Sequence, residues 1–241
     1  MPSHNSLEAT LGREAPGMKP DANHSLSWRS LLLRLMAAGM VLAIWFWTQS
    51  LLGARTAPRT GVGDALHNLT ASWNGYFAQR PPAANALLIL SSALIDALGV
   101  FLLGSWLLGA SVRPFLGLVM LMLLRQLVEA LCSLPVPPGM IWHYPGFPSL
   151  LVTYHVANDF FFSGHTAIAV FGALELSRFR RTWLTWGAIF LVLLEVATVI
   201  ILRAHYTMDV FTGILAALWI ARLGERLAPA LDRRLKTLYF L

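Results

Sequence analysis

Two histidines stand in short polar motifs that interrupt an otherwise apolar chain. The first, His165, follows Ser163 and Gly164 in the stretch DFFFSGHTA. The second, His205, lies four residues before Asp209 in HYTMD, a spacing that puts both side chains on one face of a helix. A carboxylate beside one ring nitrogen orients a histidine and leaves the other nitrogen to act as a base or nucleophile. The second motif therefore has the composition of an oriented catalytic histidine.

The SGHTA stretch runs into an apolar segment and predicts the start of a helix. Unpaired N–H groups and the partial positive charge of a helix N-terminus attract phosphate, and Ser163 and Gly164 are small enough to let it approach. If the motifs meet, His165 protonates a leaving oxygen while His205 attacks phosphorus. The alternatives are a hydrogen-bonded polar residue at the first motif and a structural His–Asp helix cap at the second.

No metal or other cofactor is required by this chemistry. The remaining histidines form no spaced pair on one helix, and the chain has no phosphate-binding glycine loop of the Walker type. We therefore expect phosphoryl transfer by side chains alone.

The composition predicts that these motifs are positioned by membrane helices. Of the 241 residues, 56% are hydrophobic and 12% are charged, and the mean hydropathy is +0.61. A bilayer core needs about 20 apolar helical residues. Six segments qualify, so that the sequence predicts an all-α membrane protein with six transmembrane helices: 30–52, 84–110, 114–134, 160–177, 183–203 and 206–223.

Arginine and lysine positions predict the orientation of these segments. With a cytoplasmic N-terminus, thirteen of these residues fall on the inner side and four on the outer side, as positively charged cytoplasmic segments require. Both termini are then cytoplasmic, and both histidine motifs lie on the exoplasmic side, periplasmic or lumenal. The arginines flank apolar segments instead of forming one basic face, which argues against a nucleic-acid partner.

The chain divides into three predicted regions: a disordered cytoplasmic tail over 1–27, a six-helix catalytic domain over 28–228, and a basic cytoplasmic tail over 229–241. Within the domain, the apolar spacing of 61–79 predicts an amphipathic interfacial helix, either a packing helix or a lipid-facing lid. The Pro- and aromatic-rich segment 134–150 is excluded from regular helix and forms either a wall over the site or a simple turn.

Further polar residues are candidates for substrate binding. Arg125 and Glu129 lie four apart within the third segment, where charges usually face a polar interior; they either line a cavity or chiefly pair with each other. Asp159 and Tyr206 belong to a set of acidic and aromatic residues that could surround a choline cation. The alternative for most of these aromatic residues is the interfacial belt of a membrane protein.

The stretches NDFFFSGHTA and HYTMDV together resemble the motifs of the membrane lipid phosphatase and phosphotransferase superfamily. Within it they look like the branch of sphingomyelin synthases and plant phosphatidylcholine:diacylglycerol cholinephosphotransferases. RQLVEALCSLPVPPG, over 125–139, is similar to the stretch before the first histidine of that branch. The resemblance implies a six-helix enzyme that moves phosphocholine or phosphoethanolamine between lipids. His165 would be the leaving-group acid, His205 the nucleophile and Asp209 its orienting partner.

The chain departs from the phosphatases of that superfamily in its cations. Where those enzymes carry a Lys before an Arg-Pro pair and an Arg before their second histidine, this chain has Trp106 and Val199, and its own Arg113–Pro114 pair is expected on the cytoplasmic side. Fewer cations favour a singly charged phosphodiester over a doubly charged monoester. Arg203 is a candidate for phosphate binding, or an arginine that extends to the interface.

The predicted function is an integral-membrane headgroup transferase that works through a phosphohistidine and uses no cofactor. Its partners are a glycerophospholipid donor and a lipid acceptor, either diacylglycerol or ceramide, and the sequence allows a homo-oligomer. If water enters the site, the same residues make a lipid phosphate phosphatase or a phospholipase C. A non-catalytic scaffold or transporter is the remoter alternative.

Overall fold

The structure is a computed structural model that describes residues 27–54, 62–154 and 160–239. Within these ranges the chain forms eight helices and no strand, so the predicted all-α class is confirmed. The helices are α1 (Trp28–Gly53), α2 (Ala65–Leu69), α3 (Ala71–Ala78), α4 (Pro81–Leu107), α5 (Arg113–Leu131), α6 (Gly164–Ser177), α7 (Thr182–Ile201) and α8 (Thr207–Tyr239). The predicted disordered tail lies outside the described residues except for its last position, and Asp159 lies outside them too.

Five helices, α1, α4, α5, α7 and α8, are long and apolar enough to cross a membrane, which identifies an integral membrane protein. The fourth predicted segment, 160–177, is helical only from Gly164 onwards. Its helix α6 has 14 residues and a length of about 21 Å, which is less than the roughly 30 Å thickness of a bilayer core. The predicted count of six spans therefore stays a prediction.

Helix α6 lies at the centre of the bundle because its residues are small or apolar on every side. Its buried residues run without a break from Thr166 to Gly172, and it contacts α4, α5, α7 and α8. By contrast, α7 exposes Trp186 and Phe190 on its outer face. A short helix surrounded by longer ones is protected from lipid, and its N-terminus opens into the bundle interior.

Helix α8 approaches the start of α6 closely at Gly213. A Cβ atom at this position would lie 2.8 Å from the main-chain oxygen of Ser163, so any side chain here pushes the two backbones apart. Next to this contact, the Ser163 N–H donates a 3.1 Å hydrogen bond to the main-chain oxygen of Asp209. The two histidine motifs are therefore joined through their own backbones.

The last helix continues past the segment that the sequence predicts. It has 33 residues, and Ala228, Leu231 and Leu235 pack against a cluster that contains Trp106 of α4. Asp232 accepts hydrogen bonds from the Val112 N–H and the Ser111 hydroxyl at 2.7 and 2.9 Å. Residues 229–239, predicted as a tail, are thus helical, and the domain boundary at 228 falls within α8.

Arg113 lies at the opposite end of α6 from His165. Its guanidinium pairs with Glu175 at 2.8 Å, ten residues along α6 from the first histidine motif, which is about 15 Å of helix. Arg113 therefore binds a carboxylate of its own and is separated from the two histidine motifs. Its cytoplasmic side stays a prediction.

We predict that Gly213→Ala destabilises the protein, because the new methyl group meets backbone that cannot move aside without shifting a helix. We expect a loss of about 1–3 kcal/mol, typical of an overpacked core, measured as a lower midpoint of thermal unfolding in detergent. The matched control is Gly187→Ala on α7, where nothing lies within 4 Å of the added Cβ and alanine favours the helix. Equal midpoints for the two variants would contradict the close approach.

Candidate active site

A cavity at the N-terminal end of α6 collects four of the residues that the sequence singles out: Arg125, Gly164, His165 and His205. Together with its open mouth, it contains about 510 Å³ of space free of protein atoms. The rest of the lining is mostly apolar: Trp45, Ile95, Met122, Trp142, Leu151, Val152, Thr153, Phe160, Ile168 and Ala204.

Ser163 is the N-cap residue of α6 and lies outside the cavity lining. It is fully buried, its hydroxyl accepts a hydrogen bond from the Thr166 N–H at 3.3 Å, and its main-chain oxygen accepts one from Ala167 at 3.0 Å. The N–H groups of Gly164 and His165 have no intrahelical partner, because the first turn of any helix lacks them. These two donors lie where the cavity meets the helix.

His205 reaches the cavity because α7 ends in a Schellman motif. The Ala204 N–H donates to the Val199 oxygen at 2.9 Å and the Arg203 N–H to the Ile200 oxygen at 3.1 Å, the two bonds of that motif. Arg203 takes the left-handed position with φ 53°, which glycine usually occupies. The chain reverses there, and His205 follows at once, before α8 begins.

The ring of His205 is oriented by a main-chain carbonyl. Its Nδ1 lies 2.8 Å from the oxygen of Phe160, and since a carbonyl oxygen only accepts hydrogen bonds, Nδ1 carries the proton. Nε2 then holds the lone pair of the neutral ring. This is the arrangement that a nucleophilic imidazole needs.

Asp209 lies behind His205 without a direct hydrogen bond to it. Its Oδ2 accepts the Tyr206 N–H at 2.8 Å and is 3.9 Å from Nδ1 of His205, beyond hydrogen-bond length. Oδ1 is buried and has no hydrogen-bond partner among the described residues. The predicted role of Asp209 as an orienting partner stays a prediction, and in the structure the direct hydrogen bond to the ring is made by Phe160.

Arg125 brings a positive charge to the same cavity. Its guanidinium lies 2.5 Å from Glu129 in a buried ion pair, and its Nε donates to the Phe162 oxygen at 3.1 Å. Gly164 makes room for it, since a Cβ there would lie 3.0 Å from Nε. The two alternatives raised by the sequence thus coexist: Arg125 lines the cavity, and Glu129 lies behind it as its ion-pair partner.

Asp64 and helix α2 hold the start of α8 from outside, a contact that the sequence analysis did not predict. Asp64 caps α2 by accepting the His67 N–H at 3.1 Å. The same carboxylate accepts the N–H and the hydroxyl of Thr207 at 2.6 and 2.7 Å, which caps α8. Although burial raises the pKa of Asp64, these hydrogen bonds lower it below its ordinary value. The carboxylate is therefore charged at neutral pH and keeps both caps.

His67 and Asn74 face inwards from this pair of helices, whereas Leu69 and Trp73 face outwards. Nε2 of His67 donates to the main-chain oxygen of His205 at 2.9 Å, and the Asn74 amide donates to the oxygen of Ile201 at 2.9 Å. The predicted amphipathic segment is therefore two short helices with the polar face buried against the site. The apolar face is exposed, as for a helix at a lipid interface.

Arg203 and Tyr206 contact this same region instead of the cavity lining. The Arg203 guanidinium donates to the main-chain oxygens of Pro138 and His67 at 2.5 and 3.4 Å. Tyr206 is buried, stacks on His67 with ring centroids 5.6 Å apart, and accepts the Val62 N–H at 3.3 Å. Their predicted substrate contacts stay predictions, and in the structure both residues bind neighbouring protein groups.

The Pro-rich segment forms the second wall of the cavity and is fastened to α4. We call residues 141–154 the strap. Asn85, Ser92 and Asp96 lie on one face of α4 at spacings of seven and four. They bind, respectively, Nε2 of His143 at 2.7 Å, the Tyr154 hydroxyl, and the Ser149–Leu151 turn. The attachment spans about 16 Å along α4.

Irregular backbone at membrane depth is tolerated where it is buried in protein or lines a cavity. The strap meets this requirement because Asp96 accepts the N–H groups of Leu150 and Leu151 at 2.8 and 2.9 Å, and Gly99 leaves room for the Leu151 side chain. Of the two interpretations of this segment, the structure favours the wall. The polar stripe on α4 was the signal that could have predicted it.

The strap also contacts the first histidine motif. The ring of Trp142 meets that of His165 edge-on with centroids 5.0 Å apart, and its indole N–H donates to the Thr153 oxygen at 3.2 Å. Nε2 of His165 is buried without a hydrogen-bond partner among the described residues. Trp142, Tyr144 and Tyr154 form one aromatic surface. Asp159, which the sequence predicts in a choline site with aromatic residues, lies outside the described residues.

A helical membrane bundle whose interior cavity combines two histidines, an arginine and a free helix N-terminus defines a membrane-embedded site suited to a phosphate group. Comparison with known proteins adds the family. Residues 63–226, more than half of the chain, match the family model described as AtPDCT1/2, and the chain belongs to this family. The resemblance seen in the sequence motifs is thereby confirmed.

Among curated proteins, the chain is similar to phosphatidylcholine:diacylglycerol cholinephosphotransferase 1 of Arabidopsis thaliana. The two are 23% identical over 201 residues, which cover 83% of this chain and 64% of the relative. The chain thus spans a little under two thirds of that relative's length. No solved structure matches this chain significantly.

We predict that Asp96→Ala releases the strap from α4, because three hydrogen-bond donors of the Ser149–Leu151 turn lose their acceptor. Amide hydrogen exchange of a peptide covering 146–154 should become at least tenfold faster, since these N–H groups are no longer protected. The control is Asp232→Ala, which removes a carboxylate that accepts two hydrogen bonds at the other end of the bundle. Unchanged exchange over 146–154 in Asp96→Ala would show that the carboxylate does not hold the strap.

Proposed function

We propose that this protein moves phosphocholine from phosphatidylcholine to the hydroxyl of diacylglycerol, through a phosphohistidine at His205. One observation carries the proposal: Nδ1 of His205 is committed to the Phe160 carbonyl at 2.8 Å, so Nε2 holds the lone pair in a cavity shared with His165 and Arg125. The name of the plant relative, a phosphatidylcholine:diacylglycerol cholinephosphotransferase, supplies the substrate class.

The phosphodiester of the donor lipid fits the charge of the cavity. A singly charged phosphate would meet the Arg125 guanidinium and the N–H groups of Gly164 and His165 at the positive end of α6. Because Arg125 is already paired with Glu129 at 2.5 Å, the net charge offered to the substrate is small. This balance favours a monoanionic diester over a dianionic monoester.

In the first half-reaction, Nε2 of His205 attacks phosphorus and forms a P–N bond. The bond from phosphorus to the diacylglycerol oxygen breaks, and protonated His165 gives its proton to that oxygen. Diacylglycerol leaves, and phosphocholine stays on His205. The step needs no redox partner, because one bond to phosphorus replaces another.

The phosphorylated ring still carries its proton on Nδ1 and therefore a positive charge. Asp209, 3.9 Å from Nδ1, lies where its carboxylate stabilises that charge, and the Phe160 carbonyl keeps the ring in place. In the second half-reaction the hydroxyl of a new diacylglycerol attacks phosphorus, its proton passes to His165, and the P–N bond breaks. Asp209 thus acts on the charge of the intermediate.

The surroundings of the cavity favour a lipid over water as the acceptor. The strap covers the site from the side of α4, and α2 covers the start of α8, while most of the lining is apolar. Water exclusion of this kind protects a reactive intermediate from hydrolysis. An acceptor that enters from the bilayer then reaches the phosphohistidine first.

We further propose six membrane segments, with α6 as the short one, and with both termini in the cytoplasm. Support comes from α8, whose exposed cations Arg226, Arg233, Arg234 and Lys236 follow its apolar part, as expected at a cytoplasmic end. The cavity is at the other end of α8, so the reaction takes place on the exoplasmic side.

The proposed function is tested with purified protein in phosphatidylcholine liposomes that contain fluorescent diacylglycerol. We expect fluorescent phosphatidylcholine as the product, resolved by thin-layer chromatography, and its complete loss in His205→Ala. Fluorescent ceramide and phosphatidylethanolamine liposomes, offered separately, test the other acceptor and headgroup. Release of soluble phosphocholine without a labelled lipid would identify a hydrolase, and a His205→Ala variant with the wild-type elution profile and rate would exclude the mechanism.

A second prediction concerns Asp209→Asn, which removes the negative charge but keeps the shape and the bond from the Tyr206 N–H. We expect kcat to fall about 10- to 100-fold, less than for a carboxylate bonded directly to its histidine, with little change in KM. Asp232→Asn, the same change at the far end of α8, is the control. A rate within threefold of wild type would remove Asp209 from the mechanism.

A further inference from the structure

The end of the cavity formed by α1 contains a hydrogen-bond donor that the proposed chemistry does not use. Trp45 lines the cavity and is 8% exposed. Its indole Nε1 is buried, and none of the described residues accepts a hydrogen bond from it. An indole N–H can only donate, and a buried donor without an acceptor costs free energy. The position is therefore suited to an acceptor brought by a ligand.

Two glutamines near Trp45 are hydrogen-bonded to each other, and one of them reaches the strap. Gln49, one turn further along α1, accepts from the Gln126 amide at 2.8 Å and donates to the Thr153 hydroxyl at 3.4 Å. These bonds tie α1 to α5 and to the strap. They fix the wall of the cavity next to Trp45 and leave its indole N–H as a donor without an acceptor on that wall.

Trp45 lies next to Arg125, which binds the phosphate in the proposed function. The guanidinium carbon of Arg125 lies 5.9 Å from the centroid of the Trp45 ring. In a glycerolipid whose phosphate binds Arg125, the ester carbonyls are only a few bonds from phosphorus. Beyond Trp45, the outer face of α1 exposes Trp47 and Leu51, where acyl chains can enter the bilayer.

Resting on the proposed function, we propose that the indole N–H of Trp45 donates a hydrogen bond to an acyl-ester carbonyl oxygen of the bound glycerolipid. The α1 end of the cavity is then the subsite for the glycerol backbone. A carbonyl suits this place better than water does. Water needs two to four polar partners, whereas the carbonyl needs a single donor among side chains such as Ile95 and Met122.

Two lipids bring the same chemistry. The diacylglycerol half of the phosphatidylcholine donor occupies the site in the first half-reaction, and the diacylglycerol acceptor occupies it in the second. In both half-reactions an oxygen of diacylglycerol lies at the same phosphorus. We therefore expect Trp45 to contact an ester of the donor and of the acceptor.

The test combines Trp45→Phe with lipids whose esters are replaced by ethers, which lack the carbonyl. With diester lipids, Trp45→Phe should lower kcat/KM about three- to tenfold, the effect of one net hydrogen bond. With dialkyl phosphatidylcholine, and separately with dialkylglycerol, the same substitution should have no effect. Phenylalanine keeps an aromatic ring beside Arg125, so any change in the contact with Arg125 affects ester and ether lipids equally. Trp47→Phe, on the lipid-exposed face of the same helix, is the control.

The arms separate the possible outcomes. If Trp45→Phe no longer lowers kcat/KM with only one of the two ether lipids, the hydrogen bond is assigned to that lipid. If the substitution changes kcat/KM equally with ester and ether lipids, for the donor and for the acceptor, the proposal is overturned. If wild-type protein makes no labelled phospholipid, the proposed function fails. Binding of diester and diether phosphatidylcholine to His205→Ala with and without Trp45→Phe, by native mass spectrometry, then decides the inference. The hydrogen bond predicts weaker binding of the diester lipid alone in the double variant.

Discussion

The close contact between the starts of α6 and α8 is the constraint on which the site depends. Gly213 brings the two helices together, and the hydrogen bond from Ser163 to the Asp209 main chain holds them in register. Two motifs that lie about forty residues apart in the chain thereby share one cavity. Since α6 also contacts α4, α5 and α7, any shift of its N-terminus would affect the whole bundle.

The second constraint is the cost of unpaired polar groups in lipid. Six polar side chains inside this bundle hold stretches of irregular backbone. Asn85, Ser92 and Asp96 hold the strap, while Asp64, His67 and Asn74 hold the turn between α7 and α8. The long apolar helices give the protein the length needed to cross a bilayer core, and these polar contacts give the cavity its shape.

The left-handed Arg203 illustrates how the two constraints combine. Its conformation is unfavourable for a residue with a side chain, but it lets α7 reverse directly into His205. The guanidinium compensates by binding the carbonyls of Pro138 and His67, which join the loop after α5 to α2. A residue that the sequence offered as a phosphate ligand thus has a second, architectural explanation in the fold.

Sequence alone determined the helical class, the membrane location and the two histidine motifs, because these follow from local patterns: apolar runs, a pair of small residues before a helix, and a four-residue spacing. The 33-residue length of α8 and the start of α6 at Gly164 were not visible, since helix ends depend on packing as well as on composition. Nor did the motifs reveal that Phe160, not Asp209, makes the direct hydrogen bond to the His205 ring. That bond is made by a main-chain carbonyl, which carries no sequence signature. The strap, the contacts of α2 and the unpaired indole of Trp45 were likewise decided by tertiary structure, because each joins residues distant in the chain.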